Sequence, residues 1–399
     1  MGTTKQRPAI IIPPDPSLST RTTPHSKRRG PRILTALLSA LALIALLHFL
    51  ASSHLSSTAA SSSSCQELLH NTDYTKSISF RSKTQEIGAI QEVDQLTGGQ
   101  PAVLLPVSDT GSQHLLDVYI FVCMLQQQKP TLALRFAQQG LVQGTVSISN
   151  ANTLLISQLD PTITPEASVL MLPLQQNIYR EYRWYNGAFI QVRFPGLYPV
   201  NNRGQAEALQ DQANNGQSLL WSNPVATAQQ MARDLFQWNA SQVISQSNDG
   251  TTAQMLLMRQ NPHLEVSVTL SRLLQHDNKG LWFVTKAQTP DIALAPSQLQ
   301  GTASTITFRG NGMSGNSQST ASLFDHTLTP IPLSQHSTVR VSQDGTFTGT
   351  LLYSSIIPDQ PGLLLIENIP SAGGTPGQLL LTGVLLDSTA QPARAMIYN

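Results

Sequence analysis

Ile33–Leu50 reads ILTALLSALALIALLHFL, eighteen residues without a formal charge. As a helix rising about 1.5 Å per residue it spans roughly 27 Å, close to the hydrocarbon thickness of a bilayer. Lys27, Arg28, Arg29 and Arg32 stand just before the run, and no Lys or Arg follows it until Lys76. Positive charge stays on the cytoplasmic side, so residues 1–32 are expected inside the cell and the rest of the chain outside. The competing reading is a signal peptide cleaved near Ala59–Ala60. Its apolar core would exceed the usual roughly 7–15 residues, and a long segment precedes it. A single uncleaved transmembrane helix over 33–50, in the cell membrane, is therefore the expectation.

The chain has 399 residues, a formal net charge of +1 and only 12% charged residues. Solubility must then come from Ser, Thr, Gln and Asn, which suits an exported β-rich protein. Nothing in this balance offers a grip on nucleic acid, and the basic cluster 27–32 reads as a topology signal. The two cysteines, Cys65 and Cys123, form no CxxC pair, so no zinc or thioredoxin-type site is indicated. Ser62-Ser63-Ser64 lacks the residues of a lipid-attachment signal before Cys65. Outside the cell a disulfide is chemically permitted, and a Cys65–Cys123 bridge is expected to tie the chain after the membrane to the first domain.

Taken in order, residues 1–32 are Pro-rich without apolar periodicity and read as a disordered tail. Residues 51–75 open with a run of Ser, Ala and Thr and read as a flexible stalk. From 76 to 200, runs such as Ala102–Val107, Leu115–Leu125, Thr131–Ala137, Leu141–Ser149 and Thr153–Leu159 are separated by turn formers, giving an antiparallel β domain. Seven of the 23 aromatic residues crowd into residues 179–199, around the hairpin signal Asn186-Gly187. Between 203 and 289 the pattern changes to a small α+β domain. Arg203–Asn214 reads as a helix, and Asn223-Pro224 supplies an N-cap and a first-turn proline for a second. Alternation at Leu264, Val266, Val268 and Leu270 marks a half-buried sheet beneath it. Residues 291–388 carry short strands with turns about every ten residues, which predicts a β-sandwich. The fold class is thus mainly β, behind one N-terminal transmembrane helix.

This last segment resembles the immunoglobulin-like domain of bacterial spore-germination-associated and other exported proteins. The resemblance rests on Gly301-Thr302-Ala303, Leu323-Phe324-Asp325, Asp344-Gly345-Thr346-Phe347-Thr348-Gly349-Thr350-Leu351 and Pro361-Gly362-Leu363-Leu364-Leu365. None of these motifs is catalytic. More widely, Leu116-Asp117-Val118-Tyr119, Tyr182-Arg183-Trp184, Phe194-Pro195-Gly196-Leu197-Tyr198-Pro199, Gln205-Ala206-Glu207, Leu270-Ser271-Arg272-Leu273 and Leu281-Trp282-Phe283-Val284 make the external part similar to single-span exported proteins of spore-forming soil bacteria. That group carries no assigned activity to transfer.

Residues with an evident chemistry are few. Gly310-Asn311-Gly312-Met313-Ser314-Gly315 fits GxGxxG, but no helix is expected after it to hold an anion, so it reads as a sandwich loop. The nine histidines show no zinc spacing, and no cofactor is expected. Asp160, Glu181 and Glu207 are the carboxylates that a glycan-cleaving pair would draw on. Tyr182 and Trp184 share one strand face and are the candidate ligand platform, for cell-wall glycan or an envelope protein, against the alternative that they are core. The expectation is a membrane-anchored envelope protein that binds or scaffolds without catalysis. The alternative is an exported glycan hydrolase.

Overall fold

Alternating apolar residues organise the chain into antiparallel sheets, and the computed structural model is mainly β. It describes residues 64–111, 114–127, 129–163, 176–261, 263–295, 300–302, 304–314, 317–354, 357–370 and 377–386. The expected tail and membrane span lie outside these residues, and among the described residues no helix is long and apolar enough to cross a membrane. Ser61–Asn399 forms one unit, to which all the described residues belong.

Its first part is a sandwich of two sheets. Strands β1 (Gln85–Ile87), β3 (Ala102–Asp109), β4 (Leu115–Gln126) and β5 (Lys129–Val142) lie in that order, with β2 (Gln91–Glu92) also on β3. The second sheet runs β6 (Thr145–Ile148), β7 (Leu154–Leu159), β8 (Asn177–Tyr185), β9 (Ala188–Val192). The period of two sends Leu104, Val118, Ile120, Val122 and Phe136 to the inner face, against Leu154, Ile156 and Tyr182. Asp117, on the outer face between Leu116 and Val118, stands at a register shift in the β4–β5 pairing. Its buried carboxylate accepts from Gly140 N at 2.7 Å and Gln85 Nε2 at 2.8 Å, and pairs with Arg81. β5 therefore continues past Gly140, where the sequence pattern predicts two separate runs.

The outer face of the first sheet is also apolar, with Val103, Leu105, Tyr119 and Phe121. A short helix, α1 (64–71), covers it with Leu69, followed by Tyr74. Cys65 on α1 is joined to Cys123 on β4 by a disulfide, with Cα atoms 5.7 Å apart. This corrects the expected stalk over 51–75, because residues 64–75 are packed. The physical reason is that Cys65, Leu69 and Tyr74 are each almost wholly buried, so the sheet supplies an order that a Ser-flanked sequence of under three turns cannot supply alone.

In the second part, α2 (Arg203–Asn214) and α3 (Pro224–Phe236) start at Asn N-caps. Asn202 Oδ1 accepts from Gln205 N, and Asn223 Oδ1 from Val225 N and Ala226 N. Strands β10 (Gln242–Asn248), β11 (Thr252–Arg259), β12 (Leu264–Ser271) and β13 (Phe283–Gln288) follow. They do not form a closed domain. The sheet continues through β22 (Gln378–Leu386), β21 (Gln360–Pro370), β17 (Ser317–Phe324) and β18 (Pro330–Ile331), in the order β10-β11-β12-β13-β22-β21-β17-β18. The boundary expected near residue 290 thus runs through one sheet, where Ala287 pairs with Leu381 and Gln288 with Leu380.

Each face of this sheet has its own core. Met231, Ala232, Leu235 and Phe236 of α3, with Trp238, pack on Met255, Leu257, Val266 and Val268, and the same core takes in Leu363, Leu365, Leu379 and Leu381. Their neighbours Leu364, Ile366 and Leu380 face the other way. There they meet Phe308, Phe347 and Leu351 of a further sheet, β14 (Ala293–Leu294), β16 (Thr305–Asn311), β20 (Phe347–Leu352), β19 (Thr338–Val341), with β15 (Gln300–Thr302) on β16. Residues beyond 291 accordingly build a β-sandwich. The first part is tied on by an antiparallel bridge, with Leu197 N donating to Val284 O at 2.7 Å and Val284 N to Tyr198 O at 2.8 Å.

Candidate functional site

Polar side chains gather in the interior where β8 and β9 meet α2, β22 and residues 357–361. Arg180 and Glu181 are neighbours on β8, so they point to opposite faces of their sheet, yet both are buried. Arg180 shares its face with Tyr182 and donates from Nη2 and Nε to Pro358 O at 2.7 and 3.3 Å. Gln191 Nε2 on β9 donates to Asp359 O at 2.8 Å beside it. Glu181 faces α2. Its Oε1 accepts from Thr153 Oγ1 at 2.7 Å and from Arg203 Nε at 2.6 Å. Arg203 also lies 3.9 Å from Glu207 Oε1, which accepts from Asn150 N at 3.1 Å. The helix can come this close because residue 204 is glycine, and a Cβ there would overlap the Tyr179 ring.

Three further contacts bind the seam to the loop after β17. Asn201 Nδ2 donates to Asp325 O at 3.3 Å. His326, with its side chain fully buried, has Nδ1 at 3.0 Å from Gln360 Oε1 and Nε2 at 3.6 Å from Asp160 Oδ2. Arg193, just past β9, lies against Gly383 of β22, whose missing side chain leaves room for the guanidinium.

Burial sets the electrostatics. It pushes the Arg193 guanidinium down to about 10, with no carboxylate opposing the shift. It also lowers Arg180, against the charges of Tyr182 and Asp359. Glu207 is raised by burial, only partly countered by the Asn150 amide and Arg203. Burial lifts Tyr182 to about 12.

Arg180, Glu181, Arg193, Asn201, Asn202 and Arg203 line one cavity with room for about one water molecule. Arg180 Nη1, Glu181 Oε2, Asn201 Oδ1 and Asn202 Nδ2 are buried without a partner in the protein. Glycan and other organic ligands occupy pockets of roughly 300–1,000 Å³, so the cavity is scaled for a single small species.

Of the carboxylates singled out in the sequence, Glu181 and Glu207 come together, but around Arg203, while Asp160 is drawn away to His326. Tyr182 and Trp184, the candidate platform, pack inward. Tyr182 is buried against Phe136 with ring centroids 4.8 Å apart, and half-buried Trp184 meets Phe189 at 5.1 Å. Tyr182 belongs to the first sandwich core and Trp184 to its rim, because that strand face looks toward the facing sheet. The ring left outside is Tyr185, 51% exposed at the Asn186-Gly187 turn. Among the described residues no group of three or more His, Cys, Asp or Glu could hold a metal ion. The arginine cluster is not foreseen from the sequence. Its one signal is that Arg180, Arg183, Arg193 and Arg203 crowd together in a chain otherwise poor in charge. No family model, curated protein or solved structure matches this chain.

Proposed function

We propose that residues 64–386 are the external part of a single-span envelope protein that acts by binding or scaffolding, without catalysis. The observation that carries this reading is the Cys65–Cys123 disulfide, with no free cysteine left over among the described residues. Such a bond persists in an oxidising compartment and is rare in the cytosol. Cys65 stands fifteen positions after the end of the apolar run 33–50, on the side of it that the positive-inside reading assigns to the exterior. The likeness of the terminal segment to the immunoglobulin-like domains of exported bacterial proteins belongs to the same reading, since β-sandwiches commonly serve as spacers and binding modules.

The hydrolase alternative would use Glu181 and Glu207. Arg203 holds both, and the adjoining cavity has no space for a sugar ring. The titratable residues of the seam are instead placed to join elements. Cell-wall glycan or another envelope protein is the partner class this reading implies, reached from the outer surface.

Protease added to intact cells, with the wall removed where needed, should degrade the chain beyond residue 64 and leave an N-terminal fragment. Alkylation before reduction should leave both thiols unmodified. A chain resistant in intact cells, or two free thiols in freshly isolated protein, would sink the proposal. Cross-linking on the same cells then identifies the partner.

A further inference from the structure

On the outer face of the first sheet, α1 leaves a strip uncovered. Along the edge strand β5, Pro130, Leu132 and Leu134 share that face, opposite Leu125, Cys123 and Phe121 of β4. Phe121, Cys123 and Leu132 belong to the core beneath α1. Leu125 and Leu134 do not, and they are 49% and 48% exposed. A single exposed leucine is ordinary on a protein surface. These two flank one strip of one face, and the chain enters the fold beside them. The described residues begin at Ser64, and Cys65 is bonded to Cys123, three residues before the end of β4.

We propose that the β4–β5 hairpin rests on the outer surface of the membrane, with Leu125 and Leu134 in the interfacial layer and Lys129 at the lipid phosphates. The proposal builds on the single-span reading. Fourteen residues separate Cys65 from Leu50, the last of the apolar run, and fully extended they reach at most about 50 Å. A tether of that length keeps the face it leaves from at a high effective concentration near lipid, so even a weak contact there is populated. Charge favours the same partner. No Asp or Glu occurs between Asp117 and Asp160, and the charged residues within that span are Lys129 and Arg135. Lys129 is exposed at the start of β5, where it can meet an anionic headgroup. Glu67 is exposed on α1, so the contact is confined to the β5 side of the face. Two leucines give a shallow contact that orients the external part, while the span itself does the anchoring.

The test uses the full chain in vesicles of phosphatidylcholine and phosphatidylglycerol. Both native cysteines are held in the disulfide. Leu125→Cys, Leu134→Cys and, in the terminal sandwich, Gln343→Cys can therefore each carry one environment-sensitive dye without reduction. Dye at 125 and 134 should shift to the blue and lose emission to nitroxide-bearing lipid, and dye at 343 should do neither. In wild type, a lipid with a photoreactive headgroup should attach within residues 124–134, which tests the native chain even if a variant fails to fold. Washing the vesicles with alkaline carbonate separates the two readings. A chain that washes off overturns the single-span reading and this proposal with it. A chain that stays, with 125 and 134 as unquenched as 343 or with no lipid attached in 124–134, overturns this proposal alone. Dye at 125 shielded from aqueous iodide yet untouched by nitroxide lipid would put a second copy on the strip, and would overturn it too.

Discussion

Replacing both Cys65 and Cys123 by Ala removes the bond that fixes α1 to the first sheet. The two cysteines are separated by 58 positions. The chain-entropy relation for a loop of that length gives about 4 kcal/mol, an amount comparable to the whole stability of a marginal domain. Most of the loss should be local. Leu69 and Tyr74 bury α1 and the turn after it on Val103, Leu105 and Phe121, so α1 is the element released first once the tether is gone. The assay is urea unfolding of wild type and the double variant, with hydrogen exchange on residues 64–75 as a regional readout. Leu69→Ala provides the control, because it removes buried apolar contact while keeping the bond, at about 2–5 kcal/mol. The two losses should be less than additive, since both act through docking of the same helix. If the double variant unfolds at the same urea concentration as wild type and exchange in 64–75 is unchanged, the assignment of α1 as a packed, tethered element is wrong.

Trp184→Ala should cost about 2 kcal/mol, below the ~3–5 of a fully buried ring, because Trp184 sits at the core rim. Unchanged melting with lost retention on cell-wall glycan would instead restore the ligand platform. Arg203→Met leaves the Glu181 carboxylate buried without its ion-pair partner and should destabilise by about 3–5 kcal/mol. Adding Glu181→Gln should recover a good part of that loss in a denaturant titration. Glu207 is raised by burial, so the folded state binds its proton more tightly than the unfolded state. Its contribution to stability is present at and below the ordinary glutamate range and is lost as pH rises through the raised value. Glu207→Gln should therefore gain Tm relative to wild type over that rise, and a difference independent of pH would refute the assignment.

Local signals are the most readable part of the sequence. Asn223-Pro224 predicts the start of α3 because a cap and a fixed φ act within one turn, and the structure places the helix there. Asn186-Gly187 likewise sits at the turn between β8 and β9, with both residues at positive φ. The illegible features depend on partners distant in sequence. The segment 64–75 has too few apolar residues to declare itself, and its order comes from a sheet face formed about forty residues later. The apparent boundary at 290 follows a real change of pattern. Only two residue pairs between β13 and β22 carry the sheet across it, and no local composition records them. The seam is hidden for a related reason. Alternation predicts that Arg180 or Glu181 faces water, but α2 covers one face and residues 357–359 the other. Charged residues on a strand reveal their burial only when both covering elements are known.

The position of β22 has a consequence for how the molecule is made. It is the last strand of the described chain, yet it lies in the middle of the eight-stranded sheet, between β13 and β21. A chain emerging N-terminus first exposes β10–β13 and α3 well before their neighbour in the sheet exists. Until residues 378–386 arrive, β13 is an open edge and the core of α3 lacks Leu379 and Leu381. A product truncated before residue 378 is then two half-sheets with unpaired edges, the kind of surface on which chains aggregate or are degraded. The eight-stranded sheet can therefore close only once residues 378–386 have been made and have found their place between β13 and β21.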